Sequence, residues 1–232
     1  MHDWDVSVEE AIAIQRRLRG LVRTEADIAL DRVRIVAGVD ASYKDVARAA
    51  VVALSFPALE VLETAVAVRA IPFPYVPGLL SFREAPSVLG AFQKLRQRPD
   101  LIMVDGMGIA HPRRIGIASH LGLWLNIPTI GCGKSLLTGR YKKEELGEEA
   151  GSWVPLIAGK EIIGAVVRTR TRVNPMFIST GHLISLETSI RYVLACGRGY
   201  RLPEPTRLAD KLSKDNSWQE PDEGEQQLSL WT

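Results

Sequence analysis

The chain has little of what would place it outside a reducing compartment or inside a membrane. It has two cysteines, Cys132 and Cys196, in 232 residues. They make neither a disulfide framework nor a zinc-ligand spacing, and a reducing cytoplasm is the expected location. No run of about 18 apolar residues occurs, so no membrane span is expected. The start, Met1-His2-Asp3-Trp4-Asp5, carries early acids and lacks the apolar stretch of a signal peptide. Aromatic residues amount to 6%. Residues 215–232 hold no lysine or arginine but five acids (Asp215, Glu220, Asp222, Glu223 and Glu225). Without those five charges, the +2 of the whole chain becomes +7 for residues 1–214. A basic body with an acidic tail is compatible with a nucleic-acid partner.

What is present is a chain 46% hydrophobic, enough for one α/β domain with a large core. Ser7 followed by Glu10 opens an amphipathic helix over 7–22. Three Val- and Ala-rich runs, 33–41, 48–56 and 59–69, read as an antiparallel meander. A proline-rich loop, 71–80, leads to a helix from about Ser81 to Gln97, with Pro86 near its first turns, where proline is tolerated. Strand 100–105, helix 114–126 and strand 128–132 follow. A hairpin over 153–169 turns near Gly159-Lys160. Strand 175–179, a helix over 182–196 and a last helix from Pro205 complete the order. The fold class predicted is a mixed β-sheet flanked by α-helices on both faces. Residues 1–214 form the domain, and the polar, acidic tail 215–232 is expected to be disordered.

Three carboxylates stand out by position. Asp40 follows the apolar run from Val33 to Val39. Asp105 follows Leu101-Ile102-Met103-Val104. Glu84 follows the loop Pro74-Tyr75-Val76-Pro77-Gly78 and Arg83. Adjacent strands would set Asp40 and Asp105 side by side, with Glu84 entering from the next helix and Asp210 from the last one. A hard divalent cation such as Mg²⁺ takes oxygen ligands and keeps several waters, so two or three carboxylates suffice. Each acid also has a plain reading: a turn or cap residue for Asp40 and Asp105, a capping box with Ser81 for Glu84, and a solvated helix residue for Asp210.

The combination resembles the endonuclease V family. It is carried by Gly38-Val39-Asp40, the Pro74 to Gly78 loop with Arg83-Glu84, Val104-Asp105-Gly106 and His111-Pro112-Arg113. It continues through Gly133-Lys134-Ser135-Leu136, Gly181-His182 and Pro203-Glu204-Pro205-Thr206-Arg207, so it reaches to about residue 213. The resemblance implies an RNase H-like fold and a Mg²⁺-dependent deoxyinosine 3′ endonuclease, with Mn²⁺ able to substitute. Such an enzyme nicks the second phosphodiester bond 3′ to hypoxanthine, leaves 3′-hydroxyl and 5′-phosphate ends, and works as a monomer.

The same resemblance assigns roles. Asp40, Asp105 and Glu84 hold the metal, and Asp210 supports them. Lys134 steadies a phosphate or the attacking water, or is a solvated surface lysine. His111 assists at a phosphate oxygen or leaving group, or makes a structural hydrogen bond. Arg113 and Arg114 contact backbone phosphates. Pro74, Tyr75, Val76 and Pro77 form a wedge that fills the gap left by an extruded base; the alternative is a ring packed under its own loop. Gly78, Leu80, Gly106, Gly116, Ile117 and Leu137 surround that base. His182 opens a helix in a capping or packing role, and His2 and His120 carry no signal.

The end of the chain, Gln227-Leu228-Ser229-Leu230-Trp231, is similar to peptides that dock on the bacterial replication sliding clamp. Deleting residues 226–232 is expected to abolish clamp pull-down and to spare nicking of short oligonucleotides. Retained clamp binding after the deletion would remove this assignment. Two other functions remain open from sequence: an inosine-specific RNA endonuclease, and a lesion-binding adaptor without catalysis.

Overall fold

The structure is a computed structural model, described for residues 2–71 and 73–217. One eight-stranded mixed sheet runs through the molecule in the order β3-β2-β1-β4-β5-β8-β7-β6. The strands are β1 (Ile35–Tyr43), β2 (Ala47–Ser55), β3 (Val61–Arg69), β4 (Leu101–Val104), β5 (Thr129–Gly133), β6 (Trp153–Ala158), β7 (Glu161–Val167) and β8 (Met176–His182). The helices are α1 (Val8–Leu18), α2 (Leu80–Phe92), α3 (Ile117–Leu125), α4 (Leu186–Ala195) and α5 (Glu204–Lys214). The meander is β1 to β3, antiparallel throughout. Among the described residues, the parallel pairings of neighbouring strands are β1 with β4 and β4 with β5.

Strand alternation divides the core in two. Val36, Met103 and Ile130 face α4 and α5, where they pack with Ile190, Val193 and Ala209. Ala37, Val39, Ile102 and Val104 face α2 and α3, against Ala85, Val88 and Leu121. Helix α5 comes unusually close to the sheet. A Cβ on Gly38 would lie 1.9 Å from the carbonyl oxygen of Pro205, so only glycine lets this helix rest on β1.

Several local expectations change in detail. Helix α1 starts with the Ser7–Glu10 capping box and ends at Leu18. Helix α2 stops at Phe92 rather than Gln97. Pro86 lies inside it, in the second turn, where it removes one backbone donor from the helix. Leu79, with no side-chain bond, is the N-cap of α2, so Ser81 and Glu84 do not form a capping box. His182 ends β8 instead of opening a helix, and its Nδ1 accepts from the Arg23 N–H at 3.2 Å. His2 and His120, which gave no signal in sequence, join ring to ring at 2.7 Å within a cluster of Trp4, Phe82 and Trp124. The cluster fastens the amino-terminal segment over α2 and α3. The clamp-like peptide and most of the acidic tail lie outside the described residues.

Candidate active site

The parallel register brings Asp40 and Asp105 together. Val39 pairs with Val104, and the Asp105 N–H donates to the Val39 carbonyl at 3.0 Å. Asp40 and Asp105 are therefore neighbours, each one residue past a paired valine. Lys134 is the residue after β5, the third parallel strand. Asp105 and Lys134 stand just past the carboxyl ends of β4 and β5, and Asp40 lies inside β1, one residue beyond the end of its parallel pairing with β4; open α/β sheets collect their ligands at this edge.

By alternation Asp40 falls on the same face as Val36 and Gly38, toward α5. The Ser213 hydroxyl of α5 donates to Asp40 Oδ2 at 2.5 Å. Asp210 lies three residues before Ser213, less than one turn back along α5, and so reaches the same point. One carboxylate oxygen from each of Asp40, Asp105 and Asp210 lies within 4.8 Å of the others. Glu84 is not part of this triad. It sits on α2, which packs on the opposite face of the sheet, and it is 8% exposed. Its charge still meets those of Asp40 and Asp105. The third oxygen donor that converges with Asp40 and Asp105 is thus Asp210, and Glu84 backs them from α2.

Packing acids this closely is unfavourable without a cation. Two like charges about 4 Å apart repel by roughly 4 kcal/mol at an effective dielectric near 20. Burial, with Asp105 beside it, pushes the Asp40 carboxyl up to about 7, although the Ser213 hydroxyl draws it down. Glu84 is raised well above the usual carboxylate range, first by burial and then by the charges of Asp40 and Asp105. The ammonium of Lys134 reaches into the cluster. It is ion-paired to Asp105 Oδ2 and bonds Asp210 Oδ1 at 2.6 Å. Burial works against its charge, but the two carboxylates outweigh that and raise its pKa. Lys214 holds the other oxygen of Asp210 at 2.7 Å. An all-oxygen donor set with a cation already drawn into it fits a hard divalent metal.

Beside the triad opens a cavity of about 300 Å³, at the small end of the ~300–1,000 Å³ usual for ligand sites. Gly78, Leu80, Gly106, Gly116, Ile117 and Leu137 all line it. So do Tyr75, Val76 and Pro77 from the proline loop, and Asp105 and Lys134 from the acidic end. Tyr75 is 72% exposed, so it is not packed under its loop. Gly116 also meets a packing requirement. A Cβ there would lie 2.2 Å from the Met107 carbonyl oxygen, so the glycine lets two loops pack together.

His111 takes the structural hydrogen bond that was one of its two readings from sequence, and Arg113 and Arg114 are engaged with protein groups. His111 is buried, and its Nδ1 accepts from the Arg113 N–H at 3.1 Å. The proton therefore resides on Nε2, which donates to the Gly78 carbonyl at 3.0 Å. Burial, and then the charge of Arg113, pushes its pKa down to about 4. It is a neutral strut with both nitrogens engaged. Arg113 donates to the same Gly78 carbonyl at 2.7 Å and to Gln15 Oε1 at 2.5 Å. Arg114 pairs with Glu161 at 2.7 Å and donates to the His111 carbonyl. These residues fix the loop that carries Tyr75 instead of reaching outward to phosphates. Gln15 is the member that sequence reasoning missed. It adds a third donor to Gly78, at 3.0 Å. Its signal was a lone amide on the buried stripe Ala11, Gln15, Leu18 of α1.

Acids from β1, the end of β4 and α5 that converge at the edge of a mixed sheet, next to a small apolar cavity, fit a nuclease of the RNase H-like fold. The chain belongs to the endonuclease V family, whose family model matches residues 16–211. The endonuclease V of Trichormus variabilis is 57% identical over 217 residues, which cover 92% of this chain and 97% of that protein. The crystal structure of endonuclease V from Streptomyces avermitilis superposes with a TM-score of 0.85 at 44% identity, over 90% of this chain and 92% of that one. A Ciona intestinalis endonuclease V was solved in complex with a 24mer DNA containing an inosine followed by a ribo-adenosine. It gives a TM-score of 0.78 at 31% identity, over 89% of this chain and 95% of that one.

Proposed function

We propose that this protein nicks DNA at deoxyinosine, cutting the second phosphodiester bond 3′ to the lesion and leaving 3′-hydroxyl and 5′-phosphate ends. One observation carries the reading: a single cavity is lined both by the exposed Tyr75 loop and by Asp105 of the acidic triad. A base extruded from the duplex enters between Gly78, Leu80 and Ile117, and the Tyr75 ring takes its place in the stack. Hypoxanthine differs from adenine by a C6 carbonyl and a protonated N1, which main-chain groups along this wall can pair. The strut of His111, Arg113 and Gln15 holds the loop in shape beforehand, which lowers the ordering cost of binding.

Asp40, Asp105 and Asp210 are the residues to hold Mg²⁺, with Mn²⁺ as a substitute and Glu84 adding charge from behind. The ion would supply Lewis-acid polarisation of the scissile phosphate and charge neutralisation at the departing oxygen. Lys134 contributes a positive charge on the substrate side, and the carboxylates orient the attacking water. DNA is the primary substrate on this reading. RNA containing inosine is the second, favoured by the ribo-adenosine in the substrate of the Ciona relative.

The deciding assay is nicking of an end-labelled duplex with one deoxyinosine, with Mg²⁺ or with EDTA, next to the same strand as RNA. A Mg²⁺-dependent product one nucleotide beyond the inosine's 3′ neighbouring bond is the expected result. Cutting of the RNA alone moves the protein to RNA metabolism. Tight inosine binding with no cut in either strand makes it a lesion-binding adaptor.

A further inference from the structure

The triad does not wait bare for its metal. The Lys134 ammonium lies between Asp105 and Asp210, in contact with both. One oxygen from each of the three carboxylates converges within 4.8 Å, and the ammonium engages an oxygen of two of those three acids, so it and a divalent ion draw on the same carboxylates. Lys134 is also anchored at its backbone. Arg201 donates to the Lys134 carbonyl at 2.5 Å and to the Pro175 carbonyl at 2.9 Å. The preceding Gly133 is paired to Phe177 in the sheet. Only the side chain is free to leave, and it has somewhere to go, being 38% exposed and lining the cavity.

We propose that Lys134 is a built-in counter-ion that occupies the cation site between Asp105 and Asp210 until a divalent metal displaces it, and that displacement turns its ammonium toward the phosphate of the bound substrate. The proposal rests on the reading of Asp40, Asp105 and Asp210 as the metal site. It gives one side chain two successive duties. Without metal it offsets the repulsion of the acids; with metal it supplies positive charge on the other side. Lysine suits this better than arginine, because its charge is compact and its stem flexible. It also predicts that the ammonium and the metal compete.

Lys214 provides the control. It touches the same Asp210 carboxylate through the other oxygen, from the outside, and is 60% exposed. A general charge effect would act through either lysine, whereas competition for the site acts through Lys134 alone. The experiment is calorimetric titration of Mn²⁺, without nucleic acid, into chelator-treated full-length protein. Wild type is compared with Lys134→Met and Lys214→Met. Lys134→Met is expected to bind Mn²⁺ about tenfold more tightly, a coupling typical of groups in direct contact, and Lys214→Met to change by less than about threefold. In chelator, Lys134→Met should melt below wild type and gain more from added Mn²⁺. Lys134→Gln serves if the methionine variant does not fold. Unchanged or weaker Mn²⁺ binding by the Lys134 variants overturns the proposal, as does an equal gain from Lys214→Met. Failure of wild type and every variant to bind Mn²⁺ overturns the metal-site reading, and this proposal with it.

Discussion

Asp40→Asn is expected to abolish nicking and, in the same protein, to raise the melting temperature of the metal-free form at pH 8. The two effects have one cause. Asp40 is a half-buried acid held beside Asp105 and Asp210, and desolvation lifts its carboxyl from an ordinary 3.8 to about 7. The folded state therefore holds this proton more tightly than the unfolded chain. The stability Asp40 contributes is whole below about pH 4 and is lost as pH rises through about 7. Above that, the wild type carries the full cost of a buried anion, and asparagine carries none of it. The Asn side chain still accepts from the Ser213 hydroxyl, so little else is disturbed. Thermal melts in chelator should show a gap that is widest at pH 8 and narrows toward pH 5. Nicking should fall by about a thousandfold or more, as for loss of a group that acts in the transition state. A melting gap that ignores pH, or nicking that survives, would break the link between burial, charge and activity.

Replacing Tyr75 with alanine should weaken binding and cutting of deoxyinosine DNA while leaving the fold alone. Its ring is 72% exposed, so a substitution should cost within about 0.5 kcal/mol of stability, or under about 2 °C for a chain of this size. Against DNA the ring stacks on a base, and such contacts are worth about 1–3 kcal/mol by alanine substitution. That corresponds to roughly 5- to 150-fold in affinity. Tyr75→Phe should keep most of it, because the face of the ring does the stacking. Gel-shift titrations on deoxyinosine and undamaged duplexes, with melts alongside, give the comparison. A melting temperature that drops several degrees, or equal binding by the alanine variant, would return Tyr75 to a packing role.

Local order was largely written in the sequence. The Ser7–Glu10 box starts α1, and Val- and Ala-rich runs give β1 to β3. The apolar run before Asp105 puts that acid at a strand end, whereas β1 continues past Asp40 to Tyr43 because it stays paired with β2; the motif around Tyr75 marked the loop that stays exposed. These features depend on neighbouring residues and on the period of a strand or helix, which a sequence displays directly.

The partnerships at the site were decided by the tertiary structure. Register alone sets Val39 opposite Val104 and so joins Asp40 to Asp105. The choice of face alone sends α5 to the same side and α2 to the other, so Asp210 completes the triad and Glu84 stands behind it. His111 and Arg113 look like groups for a phosphate until the fold brings the Gly78 carbonyl to both of them, with Gln15 alongside. Lys134 reads as a phosphate-binding lysine until β5 places it between two carboxylates. Charges and donors act over a few ångströms. Which of them fall within that range, for residues tens to well over a hundred positions apart, depends on how the sheet pairs and which face each helix covers.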